Sequence, residues 1–294
     1  MDAYWRSRAG SPQSRGVLAP RPGEPGVVAD AGTAPPSGAV PVRMTRRVPS
    51  TSVADLVRHY WIPRWNLPPR RRATQRVLEY PSANLVVEEG AARVHGPSVG
   101  LATRRLEGRG QAFGALLQPG VASALTGVEA RRLVGTSVPV DDAAAMAKAV
   151  DALVARGADA AAAEAFEAWL GARRPVLDEE AGRIREVIAA AERDRAIVRV
   201  DQLAEVADVG VRQLERMVRD QLGLTPKWLV RRYRLQESAD RLAGPDAPAL
   251  AELAAELGYA DQAHFTREFR AVIGVPPGAY AREAAVARAD GPGA

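Results

Sequence analysis

Cysteine is missing from this chain of 294 residues, and its absence rules out disulfides, thiol catalysis and thiolate metal sites. Histidine is scarce: His59, His95 and His264 make up the whole supply. A metal enzyme built on a small β-barrel needs several histidines and carboxylates converging on one cation. His59 and His95 with Glu88 or Glu89 would supply three ligands, yet a lone strand histidine is more often packed or exposed than ligating. No metal, cofactor or catalytic residue is therefore expected. No apolar run reaches ~18 residues, so a membrane span is not expected either. The N-terminus carries arginine without the apolar segment of a signal peptide, which makes the cytoplasm the expected compartment.

What is present is basic charge, +5 overall, and it lies away from the C-terminal region. From Val198 to Glu283 there are 12 Arg and Lys against 13 Asp and Glu, whereas Arg43 to Arg109 holds 13 against 5. Overall charge is thus a poor guide. Affinity for phosphates depends on local contacts, so arginines placed on particular helix faces count for more, and a modest salt slope is expected of DNA binding by the C-terminal region. Arg70-Arg71-Arg72, after Pro68-Pro69, suits an anionic ligand or phosphates as well as a solvated loop.

With 47% apolar residues the chain is ordinary for a soluble protein and long enough for two domains. Residues 1–42 are rich in Gly, Pro, Ala and Ser without periodicity, so they are expected to be a disordered tail in which Trp5 is an isolated aromatic. From 43 to 140, short apolar runs are divided by Gly and Pro. Strands are predicted over Val53–Trp61, Gln75–Tyr80, Asn84–Glu88, Ala92–His95 and Gln111–Gln118, the pattern of a small β-barrel or sandwich. Trp61, Trp65, Tyr80, His95 and Phe113 are its candidate ligand-binding residues, with plain barrel core as the other reading. Residues 141–175 hold two alanine-rich segments, Ala143–Val154 and Ala160–Ala172, parted at Arg156-Gly157. Their stripes (Ala144, Met146, Val150, Leu153 and Val154; Ala162, Phe166, Trp169 and Leu170) describe a helical hairpin needing cover from the barrel, from each other or from a second subunit.

Past Arg173-Arg174-Pro175, where proline disfavours helix in the residue before it, residues 176–285 repeat one helical pattern; 286–294 are expected to be a short tail. Asp178–Arg195 is predicted as a bracing helix with Ile184, Val187, Ile188 and Ala191 inward. Then VDQLAEVADVGVRQLERMVRDQLGLTP is matched by ALAELAAELGYADQAHFTREFRAVIGVPP. Each copy has a short helix on an L-A pair, a tight turn, a longer helix and a stop at Gly223-Leu224-Thr225-Pro226 or Gly274-Val275-Pro276-Pro277. At about 100° per residue, Leu214, Met217, Val218 and Leu222 share one face of the first long helix, opposite Arg212, Arg216 and Arg219. In the second, Phe265, Phe269 and Val272 form the stripe, while Ala263, Arg267 and Arg270 point away beside Gln262 and His264. Helix, turn, helix is the arrangement that lays its second helix in the major groove. A solvated charged face would explain one such helix; two copies with matched turns and stops argue against it. Pro226–Leu242 reads as a long helix holding the copies apart.

This paired motif resembles the DNA-binding domain of AraC/XylS-family transcription regulators. The residues that carry the likeness are Leu203-Ala204, Arg212-x-Leu214-x-Arg216, Gly223-Leu224-Thr225-Pro226, Arg234-Leu235, the block from Leu257-Gly258-Tyr259 to Phe269-Arg270, and Gly274-Val275-Pro276-Pro277. Gly210 departs from the family's usual serine cap, a loss of only a few tenths of a kcal/mol, and Val218 from a usual phenylalanine. The resemblance implies an α+β chain: a cupin-like N-terminal barrel with the helical hairpin, then an all-α domain with two helix-turn-helix units. It implies an effector-responsive activator binding double-stranded DNA, with RNA polymerase, a small-molecule effector and a second copy of the chain as further partners. Base contacts are expected from Arg212, Arg216, Gln262 and Arg267, and backbone or flanking contacts from Gln213, His264, Thr266 and Arg270, with Arg219 on the same face. The other readings are a DNA binder whose N-terminal domain serves assembly alone, and a cupin-like metal enzyme joined to a DNA-binding domain, which the histidine shortage disfavours.

Overall fold

Alternating apolar residues make the first half of the chain a sheet, and a 3.6-residue period makes the second half helical. The computed structural model describes residues 27–29, 42–70 and 72–289. Most of the tail expected over 1–42, with Trp5, lies outside them, as do residues 290–294, whereas 286–289, also expected to be tail, belong to the last helix. The strands are β1 (Val27–Ala29), β2 (Val42–Arg47), β3 (Val57–Asn66), β4 (Arg72–Val77), β5 (Asn84–Glu88), β6 (Ala91–His95), β7 (Ala102–Glu107), β8 (Arg109–Gln111) and β9 (Phe113–Leu117). Short helices α1 (Val121–Thr126) and α2 (Ala130–Leu133) precede β10 (Ser137–Pro139). The helices α3 (Ala144–Ala155), α4 (Asp159–Arg173), α5 (Glu179–Arg193), α6 (Val200–Val206), α7 (Val211–Leu222), α8 (Pro226–Leu242), α9 (Leu250–Glu256), α10 (Gln262–Ile273) and α11 (Pro277–Ala289) follow. The α+β order read from the sequence is the observed one.

One sheet runs β1-β2-β3-β9-β5-β6-β10, with β8 also on β3; β4 and β7 form a separate two-stranded ribbon. All pairs are antiparallel except β1 with β2, which puts a strand in the stretch read as tail. Register sets Tyr60 against Ala115 and Leu85 against Ala115, so Tyr60, Ile62, Phe113, Leu85, Val87 and Val94 share one face. The α3–α4 hairpin covers that face with Met146, Val150, Val154, Phe166 and Leu170, all in one buried cluster. Tyr60, Phe113 and Phe166 form its centre, with ring centroids 5.2–5.7 Å apart, an offset and edge-on arrangement that favours aromatic pairs. The Tyr60 hydroxyl donates to Glu167 Oε1 (3.0 Å), and Arg64 ties the hairpin turn through Asp159 and the Val154 carbonyl. The hairpin's apolar stripe is thus covered within the chain. Ala144 is exposed, and Ala143 takes the inward place expected of it.

Sequence and structure part in several strands. Val53–Leu56 forms a turn instead of the start of a strand, with the Val57 N–H donating to the Val53 carbonyl (2.8 Å). The single strand predicted over Gln111–Gln118 is broken at Ala112 into β8 and β9. Ribbon β4–β7 closes over a small cluster of Val42, Trp65, Leu67, Ala73 and Leu106.

In the helical half, one core gathers Ile184, Val187, Leu203, Leu214, Met217, Val218, Leu222 and Leu229. A second gathers Leu235, Ala239, Leu242, Leu253, Phe265, Phe269, Ile273 and Tyr280. Helix α8 serves both, its first half packing into one core and its second half into the other. At 17 residues it is a strut of about 25 Å. Ile273 is the buried end of the α10 stripe, and Val272, expected there, is only partly buried.

The two halves are docked. Leu78, from the loop after β4, is a member of the second helical core, and Leu101, just before β7, packs against it. Arg232 of α8 is 2% exposed; its Nε donates to the Glu79 carbonyl (2.7 Å) and its NH2 to the Leu78 carbonyl (3.1 Å). Its guanidinium also lies 4.9 Å from the Tyr80 ring centre. Trp228 Nε1 donates to the Val99 carbonyl (2.9 Å), and Arg58 of β3 pairs with Glu192 of α5. Gly223, at φ 72°, sits so close to α2 that a Cβ there would come within 2.4 Å of the Ala130 carbonyl oxygen.

Candidate nucleic-acid interface

The two long helices expected to read DNA are built by the same local devices. After α6 the chain turns through Asp208 at φ 52°, and after α9 through Gly258 at φ 70°. Val209 N–H then donates to the Ala204 carbonyl (3.1 Å), and Tyr259 N–H to the Ala254 carbonyl (2.9 Å). Leu203 and Leu253 are fully buried at equivalent places. Each long helix ends on a left-handed glycine, Gly223 or Gly274, whose N–H donates to the carbonyl of Arg219 or Arg270 at 2.9 Å. The starts differ. Asp261 caps α10, its Oδ1 accepting from His264 N–H (2.6 Å), whereas Gly210 offers α7 no side-chain cap.

Burial follows the helical period. Leu214, Met217, Val218 and Leu222 are buried while Arg212, Gln213, Arg216 and Arg219 are exposed. On α10, Phe265 and Phe269 are buried, Gln262, His264, Arg267 and Arg270 are exposed, and Thr266 is half-buried. Two of these residues have partners, one distant in sequence and one four residues along the same helix. Arg216, 55% exposed, donates through NH2 to Glu180 Oε1 of α5 (2.8 Å). His264 Nε2 lies 3.9 Å from Glu268 Oε2 and its ring meets the edge of Tyr259 at 5.4 Å. Glu268 also accepts from the Tyr259 hydroxyl (2.7 Å), and burial together with that bond raises the Tyr259 pKa above the usual phenol range. The Arg234 guanidinium lies over Tyr259, 3.8 Å from the ring centre, joining α8 to the turn before α10. An arginine-rich run on a long helix (Arg231 to Arg234) was the only signal of this role and of the docking by Arg232.

The five candidate ligand residues of the N-terminal half do not share a pocket. Phe113 is in the core under α4. Trp61, Trp65 and His95 lie on the opposite face of the sheet. There Trp61 rests on Gly114, where a Cβ would meet the indole at 2.0 Å, and donates to Asn84 Oδ1 (2.9 Å). Trp65 Nε1 donates to the Glu107 carbonyl (3.1 Å). Tyr80 belongs to the seam between the halves, where its hydroxyl donates to Glu192 Oε1 (3.1 Å). A crevice of about 10 Å³ between Arg58, Tyr80, Ser82 and Ile188 has room for roughly one water. His59 is buried edge-on to Tyr80, 5.9 Å away; desolvation chiefly, then Arg46 and Arg58, hold its pKa well below the ordinary 6.5. Among the described residues no three His, Asp or Glu side chains gather as a metal site requires, and no helix is long and apolar enough to cross a membrane.

Two helix-turn-helix units on one strut, with polar helix faces turned outward, define the class: a double helix-turn-helix DNA-binding domain. The family model for a helix-turn-helix domain matches residues 203–283, and a domain of unknown function (DUF6597) matches residues 45–139. The C-terminal domain matches an AraC-type helix-turn-helix family. Its solved neighbours include an AraC-type transcriptional regulator from Chromobacterium violaceum, 21% identical, covering 35% of this chain and 93% of that one at a TM-score of 0.33. The DNA-binding domain of AdpA, solved with a target DNA, is 22% identical over 39% of this chain and 100% of its own, at 0.32. ToxT from Vibrio cholerae is 10% identical over 82% of this chain and 97% of its own, at 0.37. Among curated proteins, none matches this chain.

Proposed function

We propose that this regulator reads sequence by entering two successive major grooves of one duplex with α7 and α10. Arg212, Arg216, Gln262 and Arg267 meet base edges, and Gln213, Arg219, His264, Thr266 and Arg270 meet the backbone and flanks. Arginine can bond guanine twice, and glutamine adenine, in the major groove. One observation carries the reading: exposed polar faces recur on two units with equivalent turns and stops, both built on α8. The protein acts by binding rather than catalysis, in the cytoplasm, and activation through RNA polymerase is the outcome the AraC-type domain favours.

For the N-terminal half, the reading best supported is a brace on the DNA-binding domain. Of its five candidate ligand residues, Phe113 lies in the core under α4 and Tyr80 in the seam. A small-molecule effector would then act by altering that seam, and a homodimer would form on surfaces other than the covered hairpin stripe. Selection of bound sites from random DNA tests the proposal. One asymmetric motif spanning about two turns fits a monomer, and its inverted or direct repetition fits a pair. On the selected site Arg216→Ala should cost about 1–3 kcal/mol and relax the choice of one base. Equal loss on selected and random duplexes would make Arg216 a phosphate anchor and remove it from the reading set.

A further inference from the structure

The basic excess of this chain lies outside its helix-turn-helix units, and the fold gathers much of it on one element. Arg70 just before ribbon β4–β7, and Arg72, Arg104 and Arg105 within it, stand against one acid of the strands, Glu107, which pairs with Arg72 (2.7 Å), while Arg104 pairs with Glu88. Its six residue pairs extend about 20 Å. Register fixes the two faces: Ala73 is opposite Leu106, and both are buried over Trp65. The other face therefore carries the cross-strand pairs Arg72–Glu107 and Thr74–Arg105, with Thr103 beyond them. Arg72, Thr74, Thr103 and Arg105 are exposed. Arginine and threonine with one carboxylate, Glu107, and no apolar residue make a poor sheet–sheet surface, but both residue types are donors used on phosphates.

The attachment of the ribbon points to the partner. At one end Leu78 and Leu101, the residues next to β4 and β7, are packed in the core of the second helix-turn-helix unit with Phe265 and Phe269. At the other end Leu67 N–H donates to the Gly108 carbonyl (2.7 Å), fixing the ribbon to β3. The strip is thus held at both ends and continuous with the unit that presents α10. We propose that the outer face of β4–β7 is a second DNA-contacting surface, lying along the phosphate backbone beside the half-site read by α10. It selects no sequence and lengthens the footprint on that side only. This rests on the DNA-reading role of α7 and α10.

The test uses the full chain and two duplexes carrying the selected site: one ending at the outer edge of each half-site, the other extended by about one turn on the α10 side. Wild type should bind the extended duplex more tightly and with a steeper salt slope. Arg72→Gln with Arg105→Gln should lower that slope by about 2, since each phosphate contact contributes about 0.9. The same pair should leave binding to the short duplex and the selected motif unchanged, and Arg105→Glu should weaken binding to the extended duplex further. Both side chains are exposed, and a thermal melt matching wild type certifies the fold. Equal slopes for wild type and variants on the extended duplex, with the short duplex still bound, would overturn the ribbon proposal and leave a solvated face. A wild-type chain that binds neither duplex would sink this proposal and the reading of α7 and α10 together.

Discussion

At the scale of single residues, His59 makes the sharpest prediction. It is 2% exposed, with Arg46 and Arg58 near and Tyr80 against its edge. Desolvation chiefly, and the arginine charges next, disfavour the protonated ring. The folded pKa thus lies below the unfolded one, so below about pH 6.5 an unfolded chain binds a proton that the folded chain refuses. Stability is unaffected by this group above that pH and falls as acid is added, with a slope approaching about 1.4 kcal/mol per pH unit. His95, also depressed chiefly by burial, adds in the same direction. Denaturant unfolding at pH 7.5, 6.5 and 5.5 should therefore show the wild type losing stability faster than His59→Gln. Parallel losses in both would mean that His59 titrates normally in the fold.

At the scale of elements, α7 and α10 share length and a glycine stop but differ at the capping residue that precedes each. Asp261 accepts a backbone bond at the start of α10, and Gly210 supplies none at the start of α7. Gly210 has φ −72° and open space where a Cβ would go, so serine fits there without strain. Gly210→Ser should stabilise by a few tenths of a kcal/mol, and Asp261→Ala should cost about 1 kcal/mol, both measured by thermal unfolding. A destabilising Gly210→Ser would show that the backbone there is not free to take a cap. The bounds of α8 were legible in the sequence to the residue, because a helix writes its period, cap and stop locally. The outward placing of Arg212, Arg216 and Arg267 was legible for the same reason. Strands β2 (VRMTRR) and β7 (ATRRLE) were not: each has only two apolar residues and owes its existence to partners elsewhere. Glu180, which holds Arg216 from 36 residues away, is another such contact. Trp61, Tyr80 and Phe113 share aromatic chemistry but went to three surroundings, since period alone does not say what will pack on each face of a sheet.

At the scale of the molecule, the decisive feature is that the helical half is not closed on itself. Leu78 completes its second core, and Arg232, in the middle of the strut, has its guanidinium on two carbonyls of the N-terminal half. The spacing of α7 and α10 is set by α8, so whatever grips α8 bears on how well both helices fit one duplex. In the full chain Arg232→Ala strips two buried carbonyls of their donor and should cost about 2–4 kcal/mol. In a fragment spanning 176–289 those carbonyls are gone, Arg232 faces water, and the same substitution should change stability by less than about 0.5 kcal/mol. The fragment itself should melt below the full chain, because it loses Leu78 from its core. Thermal unfolding of the four proteins forms a cycle in which the coupling between Arg232 and the N-terminal half is the difference of differences. An equal effect in both backgrounds would show that Arg232 stabilises α8 on its own. A large coupling together with weaker binding of the selected site by full-length Arg232→Ala would tie the N-terminal half to DNA reading through this one side chain.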